Sequence, residues 1–328
     1  MIDLTTSYMG LTLKNPIIIG SCGLTRSLPQ IQQLAAHGAA AVVLKSIFEE
    51  QILMEGQSLS SPQASHSQAA DYIAYYTRQH NLSDYLRLIE GAKKAVDIPV
   101  IASINCASAR EWVGFAQAIG QAGADGLELN FFIVPGQIEQ TSEEIEKTYF
   151  DILAAVKKHI HLPLAIKIGS HFSALSRMIF DLSVRGVSGI VLFNRFYRPD
   201  IDIDREEVTG ANYIFSTPSD ISTPLRWVGM LSKQVKCDLA AATGIHDGSG
   251  VIKCLLAGAK AVQVVSAIYQ QGPEHIEDIL DQVKDWMQKH NYHSLREFTG
   301  KLAQENIADP VLYERTQFMK YQAAYTGE

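Results

Sequence analysis

Short apolar runs alternate along the chain with stretches in which apolar residues recur at helical spacing. Eight runs read as buried parallel strands: Ile17–Ile19, Ala41–Lys45, Val100–Ile104, Gly126–Asn130, Leu164–Ile168, Gly189–Phe193, Leu239–Ala242 and Val262–Val265. Each is apolar on both faces, as a parallel strand covered by helices must be. Between them lie amphipathic segments. Thr141 and Glu144 stand three apart at the head of Thr141-Ser142-Glu143-Glu144, a capping box leading into the stripe Ile145, Tyr149, Ile152, Leu153 and Val156. Pro273 is expected in the first turn of a helix that carries Ile276, Ile279, Leu280 and Val283. Gly38-Ala39-Ala40, Gly123-Ala124-Asp125, Gly186-Val187-Ser188 and Gly258-Ala259-Lys260 each read as a left-handed helix cap followed within a few residues by a strand. A strand–helix unit repeated eight times predicts a closed (β/α)8 TIM barrel rather than a doubly wound sheet.

Ahead of the first strand, Leu4–Tyr8 and Leu11–Leu13 flank Met9-Gly10 and read as a β-hairpin plugging the bottom of the barrel. Ser46–Ser83 and Asn194–Ile221 are too long to be simple connections. They follow strands two and six, at the end where barrel enzymes build their sites, and long loops of this kind are usually lids or binding loops. Apart from a mild Ser/Gln bias at Gln57–Gln68 there is no low-complexity segment, and no linker divides the chain, so residues 1–328 are expected to form one domain.

Composition narrows the partners. Hydrophobic residues make up 47% and charged residues 19%, enough apolar side chain for a large core. The net charge of −7 and a pI near 5.8 give no long-range attraction for nucleic acid or anionic lipid. Cys22, Cys106, Cys237 and Cys254 are widely spaced with no CxxC pair, which argues against a zinc or iron–sulfur site built from this chain alone. Met1-Ile2-Asp3-Leu4 lacks the basic and apolar regions of a signal peptide, and no run approaches the ~18 apolar residues of a membrane span. A cytoplasmic location is expected.

Polar residues at the C-terminal ends of apolar strands carry the candidate chemistry: Lys45 after strand two, Asn130 after strand four, Lys167 in Ala165-Ile166-Lys167-Ile168, and Asn194 after strand six. An unpaired buried ammonium costs several kcal/mol. A salt bridge to a buried carboxylate such as Glu128 would satisfy one lysine. Two lysines and two asparagines at one end of a barrel favour an anionic, hydrogen-bonding ring system. Strands seven and eight end in Thr243-Gly244 and Val265-Ser266, with small and hydroxyl residues where barrels often bind phosphate through backbone N–H groups. The turn Gly20-Ser21-Cys22-Gly23 offers a flat surface for a planar ring. Arg195 and Arg198 either clamp a carboxylate or pair with Asp200, Asp202 or Asp204 within their loop.

These motifs, taken in order, resemble the class 1 dihydroorotate dehydrogenases. The resemblance rests on Asn15-Pro16, Gly20-Ser21, Lys45-Ser46, Ser103-Ile104-Asn105-Cys106 and the strand-four segment Gly123-Ala124-Asp125-Gly126-Leu127-Glu128-Leu129-Asn130. It continues through Lys167, Asn194, Thr243-Gly244 and Ser266-Ala267 to Tyr292–Leu302, and so spans about residues 1–302. Strand three also resembles the flavin domain of dihydropyrimidine dehydrogenase. The resemblance implies FMN on the barrel mouth. Gly20, Ser21, Ser46 and Asn105 would lie around the flavin, and Lys45 and Lys167 would neutralise charge near the ring and ribityl chain. Thr243, Gly244, Val265 and Ser266 would hold the phosphate, and Asn130 and Asn194 would bind flavin or substrate. It also implies a homodimer and a role in pyrimidine biosynthesis. The missing amphipathic N-terminal anchor argues against the quinone-reducing membrane class.

The pattern breaks at the catalytic base. The family carries a cysteine or serine three residues after the strand-four asparagine, and here Asn130-Phe131-Phe132-Ile133 places isoleucine there. The family's asparagine-bearing loop after strand two is replaced by a Ser/Gln stretch and Ala70-Asp71-Tyr72-Ile73-Ala74-Tyr75-Tyr76. Three readings follow. A flavin oxidoreductase could act on an altered small molecule, with Cys106, His66, His171 or Tyr75 as base, although each also reads as a buried thiol, surface imidazole or core aromatic. An FMN-holding electron-transfer subunit, or a non-catalytic relative, could serve a protein partner without any base. A lyase or aldolase could form a Schiff base on Lys167.

Overall fold

Alternating in–out side chains on parallel strands leave an annulus of apolar residues for helices to cover, and the chain closes that annulus on itself. The computed structural model describes residues 2–48, 82–105, 109–131, 133–195, 199–209 and 215–314. An antiparallel hairpin, β1 (Thr6–Tyr8) and β2 (Leu11–Leu13), comes first. The barrel strands are β3 (Ile17–Ile19), β4 (Ala41–Val43), β6 (Val100–Asn105), β7 (Gly126–Asn130), β8 (Leu164–Ile168), β9 (Gly189–Leu192), β12 (Asp238–Ala242) and β13 (Ala261–Val264). They pair in parallel in that circular order, and the β4–β6 and β13–β3 contacts close the ring. The short β5 (Ile47–Phe48) extends the pairing along the upper part of β6. A second antiparallel hairpin, β10 (Asp200–Asp202) with β11 (Glu207–Thr209), lies in the long connection after β9.

Helices intervene between the barrel strands: α1 (Leu28–Ala36), α2 (residues 82–95), α3 (Ala109–Gln121), α4 (Ser142–Lys157), α5 (Leu175–Val184), α6 (Ser222–Leu231), α7 (Gly248–Ala257), α8 (Ser266–Gln271) and α9 (His275–Lys289). The capping box forms as expected: Thr141 accepts from the Glu144 amide, and Glu144 accepts from the Thr141 amide at 2.8 Å. Gly38, Gly123, Gly186 and Gly258 all have left-handed φ, and Gly258 caps α7 by donating to the Cys254 and Leu255 carbonyls. Pro273 departs from expectation. It sits in the turn before Glu274, which caps α9, because Gly272 at φ 88° breaks the chain away from α8 first.

The period-two alternation separates two cores. Ile17, Ile19, Val42, Leu127, Leu129, Leu164, Ile166, Ile168, Val262 and Val264 face the helices in the outer core. The alternate residues Ile18, Ala41, Val43, Ile101, Ala165, Val191, Ala240 and Ala261 point inward and are mostly small. Tyr8, Met9 and Leu13 of the hairpin fill the space these small residues leave, so the hairpin plugs the barrel floor. The fit is close: a Cβ on Gly189 would lie 2.8 Å from the Tyr8 hydroxyl. Asp238 fixes the plug by accepting from the Met9 amide at 3.0 Å.

The same alternation sends Ser103, Glu128, Asn130, Lys167 and Gln263 inward above the apolar floor. Register sets Asn130 beside Lys167 and Ser103 beside Glu128. The barrel is therefore greasy at the bottom and polar at the C-terminal mouth. Lid residues His66 and Tyr75, together with Cys106 and Arg198, lie outside the described residues.

Candidate active site at the barrel mouth

An open cavity of about 220 Å³ lies at the C-terminal mouth. Ser21, Lys167, Asn194, Thr243, Gly244, Val265 and Ser266 line it, so seven of the residues expected to bind FMN line one cavity. Lys45, Ser46, Asn105 and Asn130 stand outside this wall but close to the same end. Ser46 ties them in. Its amide donates to Ser21 Oγ at 2.9 Å, its hydroxyl lies 2.7 Å from Ser103 Oγ, and it accepts from Asn130 Nδ2 at 3.2 Å. Asn130 in turn accepts from Asn194 Nδ2 at 2.6 Å. Gly20 closes on the cavity from β3, where a Cβ would meet Val265 Cγ2 at 3.0 Å and Gln263 Oε1 at 3.1 Å. Lys45 is half-buried and makes no hydrogen bond or ion pair among the described residues.

Lys167 is buried, and its partner is an amide rather than the carboxylate that was one of its readings. Its ammonium donates to Gln263 Oε1 at 2.8 Å, and Gln263 Nε2 donates to Glu128 Oε2 at 2.6 Å. The direct Lys167–Glu128 salt bridge is thus replaced by an amide-bridged pair, because Gln263 on β13 projects between β7 and β8. Burial pushes the Glu128 carboxyl up, and Lys167 and Gln263 pull it partly back.

Just after β12 the backbone turns sharply. Thr243 and Gly244 both have φ of 80°. A left-handed threonine costs on the order of 1–3 kcal/mol, and such strain persists where surrounding structure enforces it. The Thr243 hydroxyl donates to the Phe193 carbonyl at 3.2 Å, and Gly244 abuts Ile221 so closely that a Cβ would sit 2.1 Å from its amide nitrogen. Among the described residues the amides of Thr243, Gly244, Val265 and Ser266 donate to no backbone carbonyl. Ser266 Oγ accepts from the Ser216 amide at 3.0 Å, and Ser216 Oγ lies 3.0 Å from His246 Nε2. Burial lowers the His246 pKa.

Several of these residues escaped the sequence reading. Gln263 offered the same signal as Lys167, a polar residue inside an apolar strand. Ser103 lay inside a quoted motif without a role. Tyr85, whose hydroxyl accepts from the Ser103 amide at 2.8 Å, gave no signal, nor did Ser216 and His246.

The strand-four departure is structural as well as chemical. Ile133 is partly buried and packs on the outer core. Phe131 stacks on Trp112 with centroids 5.0 Å apart and tilts against Tyr149 at 4.6 Å. His171 and Arg195 line a neighbouring opening of about 470 Å³ that shares Phe193, Asn194 and Thr243 with the main cavity. Arg195 lines the main cavity too. No cluster of His, Cys, Asp and Glu suited to a metal occurs among the described residues.

A donor-rich wall of this kind fits FMN. A buried ammonium and four residues whose backbone amides have no carbonyl partner among the described residues line the one cavity, the donor types that an electron-rich ring edge and a phosphate need.

Comparison with known proteins agrees. The model of the dihydroorotate dehydrogenase family matches residues 3–287. The catalytic subunit of dihydroorotate dehydrogenase B (NAD(+)) from Thermoplasma acidophilum is 26% identical over 315 residues, covering 92% of this chain and 99% of that protein. Its counterpart from Pyrococcus abyssi is 25% identical over 302 residues, covering 90% and 98%. The one from Methanocaldococcus jannaschii is 24% identical over 304 residues, covering 90% and 97%. Matching strands, mouth cavity and near full-length coverage lead to one conclusion: the chain belongs to the dihydroorotate dehydrogenase family, whose enzymes are FMN-dependent flavoproteins.

Proposed function

We propose that this chain is an FMN-dependent oxidoreductase that oxidises a CH–CH bond of a small ring bearing carbonyl or carboxylate groups. The observation that carries the reading is the buried Lys167 ammonium in the same cavity as the Thr243, Gly244, Val265 and Ser266 amides. FMN supplies the hydride acceptor when bound. Lys167, with Lys45 nearby, stabilises negative charge that builds on the ring edge during reduction. The strand-seven and strand-eight amides hold the phosphate, with Ser266 kept in place by Ser216. Gly20 and Ser21 give the ring a flat bed. The Asn194–Asn130 pair presents amide groups to carbonyls of flavin or substrate.

The substrate departs from the family's ordinary one. Ile133 takes no proton, so dihydroorotate would meet no base at the strand-four position. The relatives are named as catalytic subunits of NAD(+)-linked enzymes, and this supports a second protein that carries electrons away from the flavin. Hence a chain that holds FMN and relays electrons within a complex is the second reading, favoured by the isoleucine. No helix among the described residues is long and apolar enough to cross a membrane. We place the protein in the cytoplasm as a homodimer.

Absorption spectroscopy of the purified protein, followed by anaerobic titration with dihydroorotate, tests the reading. Flavin bands that persist with dihydroorotate but bleach with another donor or with a reduced flavoprotein partner are expected. A colourless protein that refuses added FMN would overturn it and bring forward the Schiff-base chemistry of Lys167, read by borohydride trapping.

A further inference from the structure

Three inward side chains from three strands form one buried line. Lys167 on β8 is 8% exposed, Gln263 on β13 is 3% exposed and Glu128 on β7 is 1% exposed. The Lys167 ammonium donates to Gln263 Oε1 at 2.8 Å and the Gln263 amide nitrogen donates to Glu128 Oε2 at 2.6 Å. A carboxamide has an acceptor at one end and donors at the other. Here each end faces the charge of matching sign, which fixes the amide's orientation. Isolated burial of an ammonium costs several kcal/mol, and no carboxylate lies within ion-pair distance of Lys167 among the described residues. Glu128, one amide away, is the acidic group joined to it through Gln263.

Among the described residues Glu128 Oε1 has no hydrogen-bond partner, and neither does the fully buried Tyr8 hydroxyl of the plug. The ionisable groups that sense Glu128 are Lys167, Tyr8 and Tyr85, and Lys167 is the one cation. The carboxylate therefore has one strong hydrogen bond, and it points along Gln263 toward the cavity.

We propose that Glu128 is a positioning residue which, through Gln263, keeps the Lys167 ammonium charged and aimed into the cavity, and thereby tunes the reduction potential of the flavin held there. The last clause rests on the FMN reading; the coupling of Glu128 to Lys167 does not. Removing the carboxylate charge leaves a buried ammonium without its counter-charge, so Lys167 spends more time as free amine. With less ammonium beside bound flavin, the negative charge of the reduced cofactor is less well stabilised.

The test uses Glu128→Gln, nearly isosteric and able to accept from Gln263, and Gln263→Met, which breaks the line. Competitive acetylation with acetic anhydride at neutral pH, read at the Lys167 peptide by mass spectrometry, needs no cofactor. Faster Lys167 labelling in each variant, and no further gain in the double variant, is expected. Labelling unchanged in Glu128→Gln overturns the proposal, and a response in Glu128→Gln but not in Gln263→Met overturns the role of the amide. In FMN-loaded protein, Glu128→Gln is expected to shift the midpoint potential to more negative values, and an unshifted or more positive potential overturns the tuning. Failure of the parent protein to take up FMN would remove the flavin clause and the cofactor reading together, while the labelling result still decides the coupling.

Discussion

Ser216 Oγ lies 3.0 Å from His246 Nε2, a contact across 30 residues of chain that ties the loop before α6 to the turn after β12. Burial lowers the His246 pKa, with Ser216, Asp247 and Asp220 acting against it and His275 with it. A histidine with a depressed folded-state value binds fewer protons folded than unfolded. Its contribution to stability is therefore complete above the unfolded value of about 6.5 and is lost as pH falls below it. Urea midpoints between pH 7.5 and 5.5 should fall for the parent protein and fall less for His246→Asn, which keeps a polar partner for Ser216. Equal slopes would mean that His246 is not held neutral by the fold.

Gly244 and Gly10 share nearly the same backbone angle, φ 80° and 78°, in opposite surroundings. A Cβ at Gly244 would sit 2.1 Å from the Ile221 amide nitrogen, whereas nothing lies within 4 Å of one at Gly10. Gly10→Ala should cost about 1 kcal/mol, from the left-handed backbone alone. Gly244→Ala should cost about 3 kcal/mol or more, because the strand-seven turn must also shift. The same variant should weaken FMN retention at least tenfold, whereas Gly10→Ala leaves it unchanged. Denaturant unfolding and flavin fluorescence read the two effects.

Ile133 marks where the chain leaves the family's ordinary chemistry. Replacing it with cysteine restores a thiol at the strand-four position without touching the cavity wall. Anaerobic stopped-flow mixing with dihydroorotate should then bleach the flavin in Ile133→Cys while the parent remains oxidised. Absence of bleaching in the variant would place the substrate change in the rest of the pocket rather than in the missing base.

The aromatic stack under that loop is a packing device. Phe131 lies between Trp112 and Tyr149, and Phe172 meets Tyr149 edge-on at 5.4 Å. Phe131→Ala should destabilise the fold by about 3–5 kcal/mol, measured by urea unfolding, since three neighbouring rings cannot collapse into the gap. A loss below about 1 kcal/mol would show that the loop repacks freely.

Local chemistry was legible in the sequence because it needs only neighbours in the chain. The eight apolar runs became the eight barrel strands, with ends moved by no more than a residue or two, and the four glycine caps and the Thr141 capping box formed as their side chains dictate. Lys167, Thr243-Gly244 and Val265-Ser266 could be picked out because a polar or small residue at the mouth end of an apolar strand is costly without a purpose. Partnership was a different matter. Gln263 meets Lys167 across 96 residues and Glu128 across 135, and nothing in the local pattern says which inward side chain of a closed ring will stand between two others. That choice depends on strand register and on closure of the ring through β13, β3, β4 and β6. Only the tertiary structure joined Lys167 to Glu128 through an amide rather than by a direct salt bridge, joined Ser216 to His246, and left Glu128 Oε1 and the Tyr8 hydroxyl without partners among the described residues.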